Sequence, residues 1–246
     1  MLEAWSTFEG ASLSSELVLG SGTSGGPFPV SSIPCKSCYL LLLELNPAQP
    51  HCIQKFAASF GPLDWSLTWK SLQFMPLDRQ VRDLNWKIAH GVLYTAERLI
   101  SFGYQYQLSC FCGYPLESLK NLFFSCPLSR SGLDWIQSLL FLASPLAPSI
   151  NVRHVLFGLS SDDLRCVPRV FAYLLNICKY LVWLQRYDFC FRSVCLLAAL
   201  KQRLHFYLAL FFKRFLSGSR RSFFLRQWGA CGVIGKIDGA YFKVLI

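Results

Sequence analysis

The chain has 246 residues, 53% of them hydrophobic and 15% aromatic, and a formal net charge of +10 at pH 7. So much apolar material can build a packed core and excludes disorder throughout, and the length allows one large or two small domains. Eleven cysteines, odd in number and scattered through apolar segments, speak against a disulfide scaffold and for a reducing compartment, the cytoplasm or the nucleus.

Residues 1–52 read as a flexible leader. Its Ser21-Gly22-Thr23-Ser24-Gly25-Gly26-Pro27 run has no periodicity, and no early basic residue precedes a hydrophobic stretch, so a secretory signal is not expected. Cys35-Lys36-Ser37-Cys38, with His51 and Cys52 downstream, has a spacing compatible with a Cys/Cys/His/Cys metal set. The flanking Pro34, Pro47 and Pro50 favour unligated loop thiols instead.

A helical pattern fills 53–144. From Asp78 to Arg98 the apolar positions Val81, Leu84, Trp86, Ile88, Ala89 and Val92 fall near a 3.6-residue period, with Gly91 or Gly103 able to end the segment. Trp86 is expected in the core, against Leu122, Phe123 and Phe124. Glu117–Phe124 and Ser131–Ala143 read as two short helices around the Cys126-Pro127 turn, and Pro145 and Pro148 mark a boundary.

The third region, 150–246, contains the longest helix candidates, Val167–Arg186 and Ser193–Leu216, the second followed by Gly218 where a left-handed cap is expected. The stripe Leu196, Leu197, Leu200, Leu204, Tyr207, Leu208 and Phe211 reads as a core face. Gly229–Ile234 and Ala240–Ile246, with Asp238-Gly239 between, read as a small β-hairpin. The fold expected is mainly α, an irregular helical domain with a knuckle-like cysteine turn and that C-terminal hairpin. No apolar run reaches the roughly 18 residues that cross a bilayer, so no membrane partner is expected.

The chemistry-bearing pattern is Cys110-Phe111-Cys112-Gly113 followed by Asn121-Leu122-Phe123-Phe124-Ser125-Cys126-Pro127. A closed structural zinc site takes four Cys or His ligands, and here only Cys110, Cys112 and Cys126 are plain candidates. Together with Trp69 and the run Trp86-Lys87-Ile88-Ala89-His90-Gly91, the pattern resembles the zinc-binding region that follows the polymerase in LINE-type (non-LTR) retrotransposon reverse transcriptases. The resemblance runs from about Trp65 to the C-terminus. Two family ligand positions are altered: the first Cys falls on Ser109, displaced by one place to Cys110, and the His falls on Asn121. Three thiolates would need His90, water or another group to complete a zinc site. With two positions changed, the expectation is a cluster of small buried thiols without zinc.

Catalysis is not expected. The adjacent acids Asp162-Asp163 follow Ser160-Ser161 rather than the aromatic motif of a polymerase and read as a helix cap; there is no Gly-Lys-Ser/Thr phosphate loop and no His-Glu-x-x-His. His90, alone on an amphipathic helix, reads as structural.

The charge lies mostly at the C-terminal end. Residues 201–246 hold nine Lys and Arg against Asp238, so 9 − 1 gives +8. Arg214, Arg220, Arg221 and Arg226, interleaved with Phe223, Phe224 and Trp228, are suited to phosphate neutralisation and base stacking, hence to sequence-tolerant RNA or DNA binding. The resemblance implies that intact relatives use this region to hold template RNA or target DNA beside the polymerase, which makes this chain a non-catalytic remnant. The competing reading is a non-functional fragment, or one that meets a protein partner through exposed apolar surface.

Overall fold

Local signals set the helices in the computed structural model, which describes residues 18–19, 28–29, 50–104, 109–110, 112–192, 200–216, 235–238 and 241–244. The chain divides into two units, Met1–Gln49 and Pro50–Ile246. In the first, β1 (Val18–Leu19) pairs antiparallel with β2 (Phe28–Pro29), Val18 opposite Pro29.

The second unit is mainly helical. It begins with α1 (His51–Phe60) and α2 (Trp65–Phe74), the latter capped by Asp64, whose carboxylate accepts the Leu67 N–H at 2.9 Å. Then α3 (Arg79–Ala89) stops at Gly91. The Val92 N–H reaches the Lys87 carbonyl and the Gly91 N–H that of Ile88, a Schellman closure that requires the positive φ of 62° at Gly91. The helix expected over 78–98 is therefore two helices, because this closure turns the chain before α4 (Ala96–Ser101).

A one-turn π-helix, Asn121–Ser125, leads into α5 (Pro127–Ala143), where Pro127 takes the first helical position that suits its fixed φ and missing N–H. The helix read over 117–124 is thus shorter and wider than expected, and the one read from Ser131 starts four residues earlier. Next comes α6 (Val152–Phe157), closed by a reciprocal Asn151–His154 capping box. Before α7 (Asp163–Cys166) the expected acidic cap is met only in part: Asp162 at the N-cap makes no side-chain cap bond, while Ser160 Oγ accepts the Asp163 N–H at 3.2 Å and the Asp163 carboxylate accepts the Ser160 N–H at 2.9 Å. The long helices are α8 (Arg169–Arg192) and α9 (Leu200–Leu216). Last, β3 (Gly235–Asp238) pairs antiparallel with β4 (Tyr241–Val244). The first expected hairpin strand, 229–234, and the cap expected at Gly218 lie outside the described residues.

The core is organised on α8. Val170, Phe171, Leu174, Ile177 and Leu181 are buried on successive turns of it, and α3, α5 and α9 pack around them. Of the stripe expected on α9, Leu200, Leu204 and Leu208 are buried and Tyr207 is half-buried; Leu196, Leu197 and the Phe211 side chain lie outside what is described. Helices α5, α8 and α9 meet at Gly132, where an added Cβ would lie 2.8 Å from Leu200 Cδ2 and 2.9 Å from Cys178 Sγ. No helix among the described residues is long and apolar enough to cross a membrane.

A buried ion pair joins this core to the cysteine segment. The Arg186 guanidinium on α8 donates from Nε to both oxygens of Glu117, at 2.8 and 2.9 Å, and from Nη2 to Oε1 at 2.7 Å. Glu117 Oε1 also accepts the Ala96 N–H at 3.3 Å, while the Glu117 carbonyl accepts the Glu97 N–H at 3.1 Å. Glu117 therefore serves the start of α4 as well as α8. The two residues are 3% and 7% exposed, so removing either leaves an uncompensated charge in the interior. Glu117→Ala is expected to lower unfolding free energy by about 3–5 kcal/mol in urea titration, and the double variant Glu117→Leu/Arg186→Met to recover most of that loss.

Candidate functional site

Cys110 opens a tight turn. Its N–H donates to the Tyr114 carbonyl at 2.8 Å and its own carbonyl accepts the Gly113 N–H at 2.8 Å. Gly113, at φ 83°, takes the left-handed conformation that a side chain would disfavour. Cys126 arrives from the π-helix: its N–H donates to the Asn121 carbonyl at 2.8 Å, and it is the N-cap residue of α5. The three sulfurs of Cys110, Cys112 and Cys126 lie within 4.8 Å of one another, with Cys110 and Cys126 buried and Cys112 half-buried. The expected cysteine trio is thus brought together in space.

The trio is electrostatically unequal. The Cys126 thiol is held down to about 6, first by the neighbouring Cys110 thiol, against burial, and further by the amides of Leu128 and Ser129. Those amides close no side-chain cap hydrogen bond to the sulfur; they act on it as oriented dipoles at a helix N-terminus. The Cys110 thiol is pushed far above its ordinary range, first by Cys126 and then by burial. The two thiols titrate as a pair, Cys126 the more acidic of the two and Cys110 the less.

Such a set can hold a metal ion through three sulfurs. A tetrahedral zinc with bonds of about 2.3 Å sets sulfurs about 3.8 Å apart, within the spread found here. Among the described residues no fourth Cys, His or carboxylate joins the three sulfurs. His90, named from the sequence as a group that could complete the set, is not among these ligands: its ring lies 4.5 Å from that of Trp69 and 4.0 Å from that of Trp86, with Nδ1 3.6 Å from Cys52 Sγ. Burial lowers its pKa. Asn121 is buried and its Oδ1 finds no partner among the described residues, but an amide oxygen is a hard donor, unlike the soft sulfur set. Ser109 is exposed.

The structure corrects two further expectations. Trp86 is 46% exposed and lies against the His90 ring, while Leu122 and Phe123 are fully buried. Cys52 is a buried helical thiol on α1, not a loop thiol; Cys35 and Cys38 lie outside the described residues. All seven described cysteines are unpaired.

The arginine and aromatic cluster of the basic tail is described only as far as α9. The backbone of Arg214 belongs to that helix; Arg220, Arg221, Phe223, Phe224, Arg226 and Trp228 lie outside the described residues. A different cationic site emerges elsewhere, in a groove of about 870 Å³ lined by Lys55, Arg98, Lys120 and Arg153, with Glu97 the sole acid among its lining residues. Lys55 Nζ and Arg98 Nη1 both donate to the Gly91 carbonyl, at 3.0 and 2.7 Å. Arg153 donates to the Pro62 carbonyl at 2.6 Å. The Lys55 amine is pushed down by burial and then by Arg98, with Glu97 opposing. Sequence reading missed this groove because its four cations come from separate segments, none a charge run. Comparison with protein-family models, curated proteins and solved structures gave no match.

Elemental analysis of reduced, purified protein is expected to return well under one zinc per chain; a full equivalent that Cys126→Ser releases would overturn this. The same variant tests the thiolate. A thiol depressed from 9.0 to about 6 contributes stability that is present above the unfolded value and lost as pH falls through the folded one. The stability difference between wild type and Cys126→Ser, followed by urea unfolding, should therefore grow from pH 6 to pH 9. A difference flat over that range would remove the thiolate from the account.

Proposed function

We propose that this chain is a non-catalytic C-terminal remnant of a LINE-type reverse transcriptase that binds RNA or DNA with little sequence preference. The observation that carries the reading is the groove where Lys55, Arg98, Lys120 and Arg153 converge against a single acid. Two of these cations already hold one backbone carbonyl, so they are ordered before any phosphate arrives, and Lys120 and Arg153 are exposed at the rim. The +8 segment 201–246 adds long-range attraction, and its Phe223, Phe224 and Trp228 supply faces for unstacked bases. The cysteine trio is, on this reading, what is left of a zinc knuckle: its turn and helix N-cap persist while the fourth ligand is gone, and no cofactor is required. The residues support a role in holding nucleic acid, in a cytoplasmic or nuclear setting, and no role in chemistry.

One observation favours protein contact as a second reading. Phe141, Leu142 and Leu146 are exposed at the end of α5, Leu146 at 91%, as expected of a face that once met another domain.

Fluorescence anisotropy with single-stranded RNA and DNA separates the two. Binding at about micromolar Kd that weakens steeply with salt is expected. Lys120→Glu/Arg153→Glu and, separately, Arg220→Gln/Arg221→Gln should each reduce the log–log salt slope by about one to two, one for each phosphate no longer neutralised. Affinity flat between low and physiological salt, or unchanged in both double variants, would leave protein contact as the better account.

A further inference from the structure

A second cavity, of about 210 Å³, lies against α8 and has no part in the nucleic-acid reading. Its walls are apolar, with Leu67 and Phe74 of α2 on one side, Leu164 of α7 on another, and Ala172 and Leu175 of α8 behind. Asn176 and Lys179 continue the same face of α8, since residues three and four apart line one side of a helix.

Lys179 is the anomaly. It is only 4% exposed, yet among the described residues no hydrogen bond or ion pair compensates its amine. The neighbouring polar groups are committed elsewhere. The Asn176 amide donates to the Ala172 carbonyl at 2.7 Å and to Met75 Sδ at 3.3 Å, and the Ser71 hydroxyl donates to the Thr68 carbonyl at 2.9 Å. His154, also in the lining, is bound to Asn151 and lies 3.2 Å from the Asp163 carboxylate. The exposed Arg169 adds a second cation at the lining, and no Asp or Glu is among the lining residues. A cavity with apolar walls and an uncompensated cation is complementary to one kind of molecule: an apolar body that carries a single negative charge.

We propose that this cavity binds a small aliphatic monocarboxylate, its chain lying against Leu67, Leu164 and Leu175 and its carboxylate paired with the Lys179 ammonium. The ligand supplies the counter-charge that the fold omits, and a carboxylate accepts the hydrogen bonds that a buried ammonium must otherwise forgo. Burial holds the Lys179 amine down to about 7, which is the state of a lysine still waiting for its anion. An imine with a carbonyl compound is the less suited chemistry, because the lining has no carboxylate to move protons through the carbinolamine and its imidazole is engaged with Asp163.

The test uses the full chain and octanoate, with octanol as the matched uncharged probe, followed by calorimetric titration and by the shift in Tm. Octanoate is expected to bind saturably and to raise Tm with concentration, while octanol binds at least about tenfold more weakly. Lys179→Met should fold at least as well without ligand, because it removes an uncompensated buried amine, and should weaken octanoate at least about tenfold. Ser71→Leu keeps the lysine and fills the cavity, so it too should abolish binding; it carries the test alone if Lys179→Met fails to fold. Equal affinity for octanol and octanoate, or octanoate binding unchanged in either variant, would overturn the proposal.

Discussion

The Arg186–Glu117 pair is the contact on which the arrangement of the cysteine segment depends. One carboxylate receives the guanidinium of the central helix and an amide at the start of α4, so three parts of the chain share an anchor in the interior. Charges taken out of water favour one geometry steeply, since any partial separation exposes each to the full desolvation penalty. The turn that presents Cys110 and the π-helix that presents Cys126 lie on either side of Glu117 in sequence, so both are held in register with α8.

Helical character was legible in the sequence because the apolar periods of α3, α5 and α9 are long and clean, and because Gly91 marks its own stop. What failed was the choice of face. Trp86 fits the apolar period, yet an aromatic ring can satisfy itself by lying over His90 at the rim, and periodicity does not distinguish a core position from the edge of the stripe. The cysteine trio could be read because the short loops leave few ways to place Cys110, Cys112 and Cys126 apart. Its missing corner could not, since His90 is taken up by Cys52 and two tryptophans through contacts between distant segments. The groove was invisible for a related reason: cations from α1, α4, α6 and the segment before the π-helix become neighbours only after folding.

The two cationic places differ in physics more than in charge. In the groove, Lys55 and Arg98 are steadied by a carbonyl dipole and remain in reach of water, so their charges survive and project outward. Behind α2, Lys179 has the opposite environment, with apolar walls that raise the free energy of the charged form. The two cationic places share no lining residue, so each can keep its own environment within one small helical domain.

The crossing at Gly132 has a consequence for how this sequence can drift. With Leu200 Cδ2 and Cys178 Sγ both inside 3 Å of where a methyl would sit, even the smallest enlargement obliges side chains on two other helices to shift together. The exposed flank of α5 can vary freely, and even its core leucines can trade volume with their neighbours. A change to alanine at position 132 must be absorbed by Leu200 and Cys178 at the same moment, so drift is more constrained at this smallest of residues than along the open flank of the same helix.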